Sequence, residues 1–300
     1  MDLSVDIGGI TLKNPITIAS GTGGYGEELA QFIDISRLGA LFTKGLSLEP
    51  RPGNRGHRII ETPSGVLNSI GLENVGVKRF LEEKIPFLRE RNVRVIPNVA
   101  GHSVDENVEL CGILSGIDGV DALELNVSCP NVKEGGIAFG TNAELLAELI
   151  ERVRAVTNAV LIVKLSPNVD DIAGFARIAK IAGADAVSAV NTYLGMKIDI
   201  ERGKPYFDGI VAGLSGPAIR PLAVRSVFEI YKEVDIPIIG MGGISSIEDV
   251  LEFIMAGASA VSIGTMTMVS PQLPIACLEM LEKFLEERHL SIGELVGMAH

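Results

Sequence analysis

The chain has 300 residues, 47% hydrophobic and 21% charged, which is a globular composition and excludes a disordered one. With 38 acidic against 26 basic residues the net charge is −12, which argues against nucleic acid and anionic membranes as partners, since both need Lys/Arg patches. The three widely spaced cysteines, Cys111, Cys129 and Cys277, form no CxxC pair; they suggest neither a zinc site nor a disulfide framework and fit a reducing cytoplasm.

The amino-terminal MDLSVDIGGI lacks a basic region followed by an apolar core, so it does not read as a secretion signal. Beyond it, short Val/Ile-rich runs alternate with amphipathic stretches of helical length. The strand candidates are residues 16–19, 40–43, 94–99, 122–127, 160–165, 186–190, 236–239 and 260–263. Strands alternating with helices imply βαβ units and a parallel sheet, and eight of them imply a (β/α)8 TIM barrel. No composition break divides the chain, so residues 1–300 read as a single domain. AGADAVS at 182–188 recurs as AGASAVS at 256–262, with LGALF at 38–42 a fainter copy; in each, a helix is expected to end at a left-handed glycine before a buried strand. Thr141-Asn142 and Ser245-Ser246 read as helix starts, the first helix presenting Leu145, Leu149, Val153 and Val156 on one face. The uncharged run 253–278 is long enough to span a bilayer, but Gly257, Gly264, Pro271 and Pro274 favour a helix end, a buried strand, a turn and a new helix. The connections 46–71 and 193–216 are too long for simple βα loops and read, with the segment after strand 4, as active-site insertions after strands 2, 4 and 6.

Polar groups gather where the strands end: Ser20, Lys44-Gly45, Asn98, Asn126 with Cys129, Lys164, Asn191-Thr192, Gly242-Gly243 and Gly264-Thr265. Barrel active sites lie at that end. A lone loop cysteine is most often inert, and a lysine beside apolar sequence can snorkel. Yet LFTKG and VLIVKLS place lysines inside apolar runs, where an ammonium is rarely buried without a partner. IIGMGG and SIGT end strands 7 and 8, where barrels bind phosphate. Each glycine pair alone suits a plain turn; together they point to a phosphate-bearing ligand. His57 and His102 lie near strand ends without partners that would make them catalytic, and Cys111 and Cys277 read as buried structural thiols.

These segments resemble the dihydroorotate dehydrogenases, and among them the type 1B catalytic subunits. The resemblance rests on NPITIASGT, TKGLSLEPRPGN, NSIGLEN, NVSCPNVKEGGIAFGT, VKLSPNV, NTYLGM, AGLSGPAI, IIGMGGI and AGASAVSIGT, spread over nearly the whole chain. It implies oxidation of (S)-dihydroorotate to orotate in pyrimidine biosynthesis, with one FMN per chain. Cys129 would be the base, on a lid containing Gly135, Gly136 and Gly140. Lys44, Asn68, Ser69, Ile70, Gly71, Leu72, Asn126, Asn191 and Thr192 would bind substrate. Ser20, Lys44, Gly45, Asn98, Asn126, Lys164, Val190, Gly216, Gly242, Gly243, Gly264 and Thr265 would bind FMN, with no metal on this chain. FAD and an iron–sulfur cluster would sit on a partner subunit that passes electrons to NAD. A homodimer core would make the assembly a cytoplasmic heterotetramer. The readings left open are a dihydropyrimidine dehydrogenase-like FMN barrel, a fumarate-linked type 1A enzyme and a non-redox barrel for a phosphorylated ligand.

Overall fold

The structure is a computed structural model, and it describes residues 1–128 and 139–300. Its centre is a ring of parallel strands: β1 (Ile16–Ile18), β2 (Ala40–Phe42), β3 (Val95–Ile96 and Asn98–Val99), β4 (Leu123–Asn126), β5 (Leu161–Lys164), β6 (Ala186–Ala189), β7 (Ile238–Met241) and β8 (Ala260–Ile263). Each is Val/Ile/Leu/Ala-rich and almost wholly buried, as a parallel sheet covered on both faces requires. Pro97 interrupts the third strand. It has no N–H for the ladder, so β3 is split. Val95 and Ile96 pair with Leu41 and Phe42, whereas Asn98 and Val99 pair with Glu124 and Leu125. The two ends of the ladder are therefore halves of one strand, and the sheet closes into a (β/α)8 barrel.

Helices follow β2 to β8 on the outside. The first runs through Gly76–Arg79 and a π-helical turn, Phe80–Lys84, to Ile85–Glu90; the others are Val104–Leu114, Ala143–Arg154, Ile172–Ile181, Arg220–Glu233, Ile247–Met255 and Leu273–Arg288. After β1 two 3-10 turns, Leu29–Gln31 and Ile35–Arg37, take the place of a helix. The expected helix starts are present: Asn142 accepts from Leu145 N, and Ser246 forms a capping box with Asp249. The hairpin of Val5–Asp6 and Thr11–Leu12 covers the amino-terminal end of the barrel, where a Cβ on Gly8 would strike Asp185 O at 2.6 Å.

Three expectations need correction. β7 starts at Ile238, because Pro237 offers no N–H; its carbonyl still accepts from Val187 N at 3.1 Å. The helix after β4 buries Leu146, Leu149, Ile150 and Val153, while Val156 lies beyond its end and is exposed. Gly183 and Gly257 have φ of +111° and +115°, as the repeat implied, but Gly39 does not share that conformation. It is crowded instead: a Cβ there would lie 3.1 Å from Ile16 O. The uncharged run 253–278 resolves into Ile247–Met255, β8, a short helix Met266–Val269 and Leu273–Arg288. Among the described residues no helix is long and apolar enough to cross a membrane.

The two long connections form a second sheet above the carboxyl ends of the strands. Its antiparallel order is Tyr193–Gly195, Ala212–Ser215, Gly65–Asn68, Ile59–Thr62. Asn68 pairs with Gly213, Leu67 with Leu214 and Val66 with Ser215, so the insertions after β2 and β6 hold each other. This flap has its own small core of Leu67, Phe207 and Ala212.

Candidate active site

Lys164 ends β5 and is 4% exposed, so it does not snorkel. Its Nζ donates to Ser20 Oγ at 2.9 Å and stands 3.8 Å from the Glu124 carboxylate. Glu124 and Asn126 are two residues apart on β4 and point to the same side. Glu124 is fully buried; it accepts from Asn98 Nδ2 at 2.6 Å and from Ser188 Oγ at 2.7 Å. Asn126 Nδ2 donates to Asn98 Oδ1 and Asn191 Nδ2 to Asn126 Oδ1, each at 3.3 Å. Thr192 N donates to Asn191 Oδ1 at 2.9 Å. Gly45 lets the chain after β2 approach this row, since a Cβ there would lie 3.0 Å from Asn98 Oδ1. Residues from β1, β3, β4, β5 and β6 thus meet at one polar floor.

The glycines converge separately. Gly216, Gly242 and Gly243 have φ of +93°, +129° and +84°. A Cβ on Gly243 would lie 2.8 Å from Gly216 O, and one on Gly216 would lie 3.5 Å from Thr265 Cγ2. Thr265 Oγ1 donates to Ser215 Oγ at 2.8 Å. Val190 N donates to Met241 O at 2.8 Å, and its side chain packs where a Gly242 Cβ would reach. At Gly264 a Cβ would meet only Ala19 Cβ at 3.5 Å, so the surrounding protein does not demand a glycine there. The loop after β7 is held by Asp249, which accepts from Ser245 N and Ser245 Oγ at 2.7 Å and from Ser246 N at 3.1 Å. Arg220 pairs with Asp249, and that hydrogen bond holds the guanidinium pKa above its ordinary value against the opposing effect of desolvation.

The flap supplies the third wall. Asn68 Nδ2 donates to Gly213 O at 3.2 Å, and a Cβ on Gly213 would lie 2.9 Å from Thr192 Cβ. Ser69 N donates to Arg58 O at 2.7 Å, Asn54 N donates to Ile70 O at 2.9 Å, and Gly71 and Leu72 turn through φ of +73° and +55°. Lys44 differs from Lys164. Its side chain is 27% exposed and its Nζ lies 3.5 Å from Glu73, which also pairs with Arg58 at 3.0 Å.

Cys129, Gly135 and Gly136 lie outside the described residues. The flanking backbone is tied together, with Gly140 N donating to Val127 O at 2.8 Å and Ser128 N to Asn126 Oδ1 at 3.2 Å. Cys111 and Cys277 are buried, which pushes their thiols up to about 12 and about 11. His57 lies against the Tyr206 ring at 5.1 Å, and His102 N donates to Glu106 at 2.7 Å. The sequence reading missed Glu124, Ser188, Ser215, Asn168, Glu73 and the Arg220–Asp249 pair. Glu124 carried a visible signal: ALELNV buries a charge in an apolar run as VLIVKLS does. Asn168, which donates to Thr192 O at 3.0 Å, had none.

A closed (β/α)8 barrel with a buried ammonium, a row of amides and a cluster of positive-φ glycines at the carboxyl ends of its strands has the layout of an enzyme site. The dihydroorotate dehydrogenase family model matches residues 2–285, and the chain belongs to that family. A relative from Trichlorobacter lovleyi is 50% identical over 296 residues, covering 98% of this chain and 97% of its own, and one from Desulforamulus reducens is 50% identical over 301 residues, covering 100% and 99%. Both are named dihydroorotate dehydrogenase B (NAD(+)), catalytic subunit. One from Aquifex aeolicus, 49% identical over 303 residues and covering 100% and 99%, is provisionally named dihydroorotate dehydrogenase A (fumarate).

Proposed function

We infer that this chain, as a single barrel domain, oxidises dihydroorotate to orotate as the catalytic subunit of an NAD-linked dihydroorotate dehydrogenase. The observation that carries the reading is Lys164: a buried ammonium beside Ser20 and Glu124, on the strand next to Asn126 of the amide row, in a chain of that family. The residues fit FMN. The positive φ of Gly216, Gly242 and Gly243 lets the turns there pack closely together, at Gly264 a Cβ would meet only Ala19 Cβ at 3.5 Å so that the backbone can approach a phosphate, and among the described residues Lys164 has one close acceptor and further N–H groups. Gly216, Gly242, Gly243, Gly264 and Thr265 would hold the phosphate, and Ser20, Lys44, Gly45, Asn98, Asn126, Lys164 and Val190 the rest of the group. When bound, FMN supplies the hydride acceptor.

The chain's own residues bind, orient and deprotonate. Asn68, Asn126, Asn191 and Thr192 offer both donors and acceptors, which suits the amides of a pyrimidine ring. Backbone groups from Ser69, Ile70, Gly71 and Leu72 extend that set. Lys44 attracts the substrate carboxylate, and the flap excludes water. Cys129 Sγ takes the ring-carbon proton; an ordinary thiol near ~8.5 is only partly ionised at neutral pH, so turnover rises toward mildly alkaline pH. Electrons leave through a partner subunit carrying FAD and an iron–sulfur cluster, in a cytoplasmic heterotetramer built on a homodimer.

The test is anaerobic reduction of the purified, FMN-loaded chain. Dihydroorotate should bleach the flavin. A colourless protein that takes up no FMN, or one bleached by dihydrouracil and not by dihydroorotate, overturns the reading. The Aquifex relative makes fumarate the acceptor to compare: reoxidation by fumarate without a partner would place the chain with the A enzymes.

A further inference from the structure

The proposed reaction leaves the carboxylate of Glu124 without a role, although it is 0% exposed at the root of the amide row. A carboxylate only accepts hydrogen bonds, whereas an asparagine amide can present either end. Glu124 Oε1 is taken by Ser188 Oγ at 2.7 Å and Oε2 by Asn98 Nδ2 at 2.6 Å. Asn98 can therefore face Glu124 only with its NH2. Its Oδ1 then points outward and accepts from Asn126 Nδ2 at 3.3 Å. Asn126 Oδ1 accepts from Asn191 Nδ2 at 3.3 Å, and Asn191 Oδ1 from Thr192 N at 2.9 Å. The row runs in one sense, every donor toward Glu124. Reversing it would set Asn98 Oδ1 against a buried carboxylate with no proton between them, a buried arrangement far costlier than an ordinary lost hydrogen bond. Each amide keeps a second N–H for a ligand. Glu124 also attracts Lys164 from 3.8 Å, too far for a hydrogen bond, so it offsets the ammonium's charge without taking up its N–H groups, one of which donates to Ser20 Oγ.

We propose that Glu124 is a positioning residue that sets the donor–acceptor direction of the Asn98 amide, so that it meets the Asn126 and Asn191 amides held by Ser128 N and Thr192 N, and offsets the charge of Lys164. The proposal rests on the flavin-dependent reading above. An amide in place of this carboxylate can donate, which frees Asn98 to turn and set its NH2 against the Asn126 NH2 that Ser128 N holds in place.

Two variants and one wild-type measurement test it. Glu124→Gln, loaded with FMN, should bind orotate about 10- to 100-fold more weakly, read from the perturbed flavin spectrum, and its flavin midpoint potential should move positive. Glu124→Gln/Asn98→Asp restores the sense of the row, because the carboxylate introduced at position 98 accepts both from the new amide at position 124 and from Asn126; it should regain most of the orotate affinity. A packing role alone would give no such rescue. Orotate affinity within about twofold of wild type in Glu124→Gln, or no recovery in a double variant that is folded and still loaded with FMN, overturns the proposal. Neutron diffraction on wild-type crystals judges it whatever the variants' folding: deuterons of the Asn98 NH2 should face Glu124, and a carbonyl there overturns it. A wild-type protein that binds no FMN would instead sink the functional reading, and the neutron result would still decide the amide order.

Discussion

The floor of the site and its roof are built on different principles. The floor groups Lys164, Glu124 and Asn98 stand on barrel strands, each at most 4% exposed and linked by hydrogen bonds or charge within 3.8 Å. The roof groups Asn68, Ser69 and Thr192 are half-buried on a sheet whose own core is Leu67, Phe207 and Ala212. A closed barrel holds its strand ends through ladders on both sides, so charge placed there cannot drift. A sheet made of two loops has a much smaller core and can open separately. Fixed electrostatics belong to the barrel, and access to the flap.

The strongest attempt to break this contrast is the pair of lysines. Lys164→Ala should slow flavin reduction by dihydroorotate by about 10²- to 10³-fold, the scale for losing one preorganised charge in a dry site. Lys44→Ala should raise KM about tenfold, with an effect that shrinks as salt is added, because its 27%-exposed side chain is screened. Equal losses in stopped-flow traces for the two variants would mean that the partly exposed lysine beside the flap is as preorganised as the buried one in the floor.

Next in size is Asp249→Asn. Asp249 receives two backbone N–H groups and a hydroxyl of the loop after β7, and pairs with Arg220. Loss of these charge-assisted bonds should weaken FMN binding about 10- to 100-fold while leaving riboflavin affinity nearly unchanged. Fluorescence titration with both flavins checks this; equal weakening would show that the loop does not act on the phosphate. Phe207→Ala probes the roof alone. Its effect should be about a tenfold rise in KM, with the main thermal transition moved by less than about 2 °C, since the barrel core is untouched. A large fall in Tm would show that flap and barrel unfold as one unit.

How much could be read beforehand follows the same division. All eight barrel strands were legible because a strand buried on both faces must be continuously apolar, and a lysine or glycine at its end then stands out. The break at Pro97 and the late start of β7 at Ile238 follow from prolines that are plain in the sequence, but only the pairing shows their effect. The flap was seen only as excess length. Its pairing of Leu67 with Leu214 joins segments far apart in the chain through short, half-polar strands that carry no strong period. Glu124 was readable by the argument used for the lysines; the direction of the amide row was not, because it depends on which atoms meet across neighbouring strands.

The smallest expected effect concerns the two thiols buried away from the site. Burial raises the Cys111 pKa from 9.0 to about 12 and that of Cys277 from 9.0 to about 11. At about pH 8 both are neutral and shielded, so iodoacetamide should label neither in the native protein, while Cys129, as the proposed base, should react. Peptide mass spectrometry reads this directly, and native labelling of Cys111 would contradict its burial. The same shifts set a sign for stability. A group whose folded pKa is raised contributes its full stabilisation below the unfolded value and loses it as pH climbs toward the folded one. Stability should therefore fall from pH 9.0 toward about 12 through Cys111 and toward about 11 through Cys277. Cys111→Ala lowers stability at neutral pH by leaving a small cavity, yet it should flatten the alkaline decline. An unchanged alkaline slope in urea titrations across that window would mean that groups other than this thiol control it.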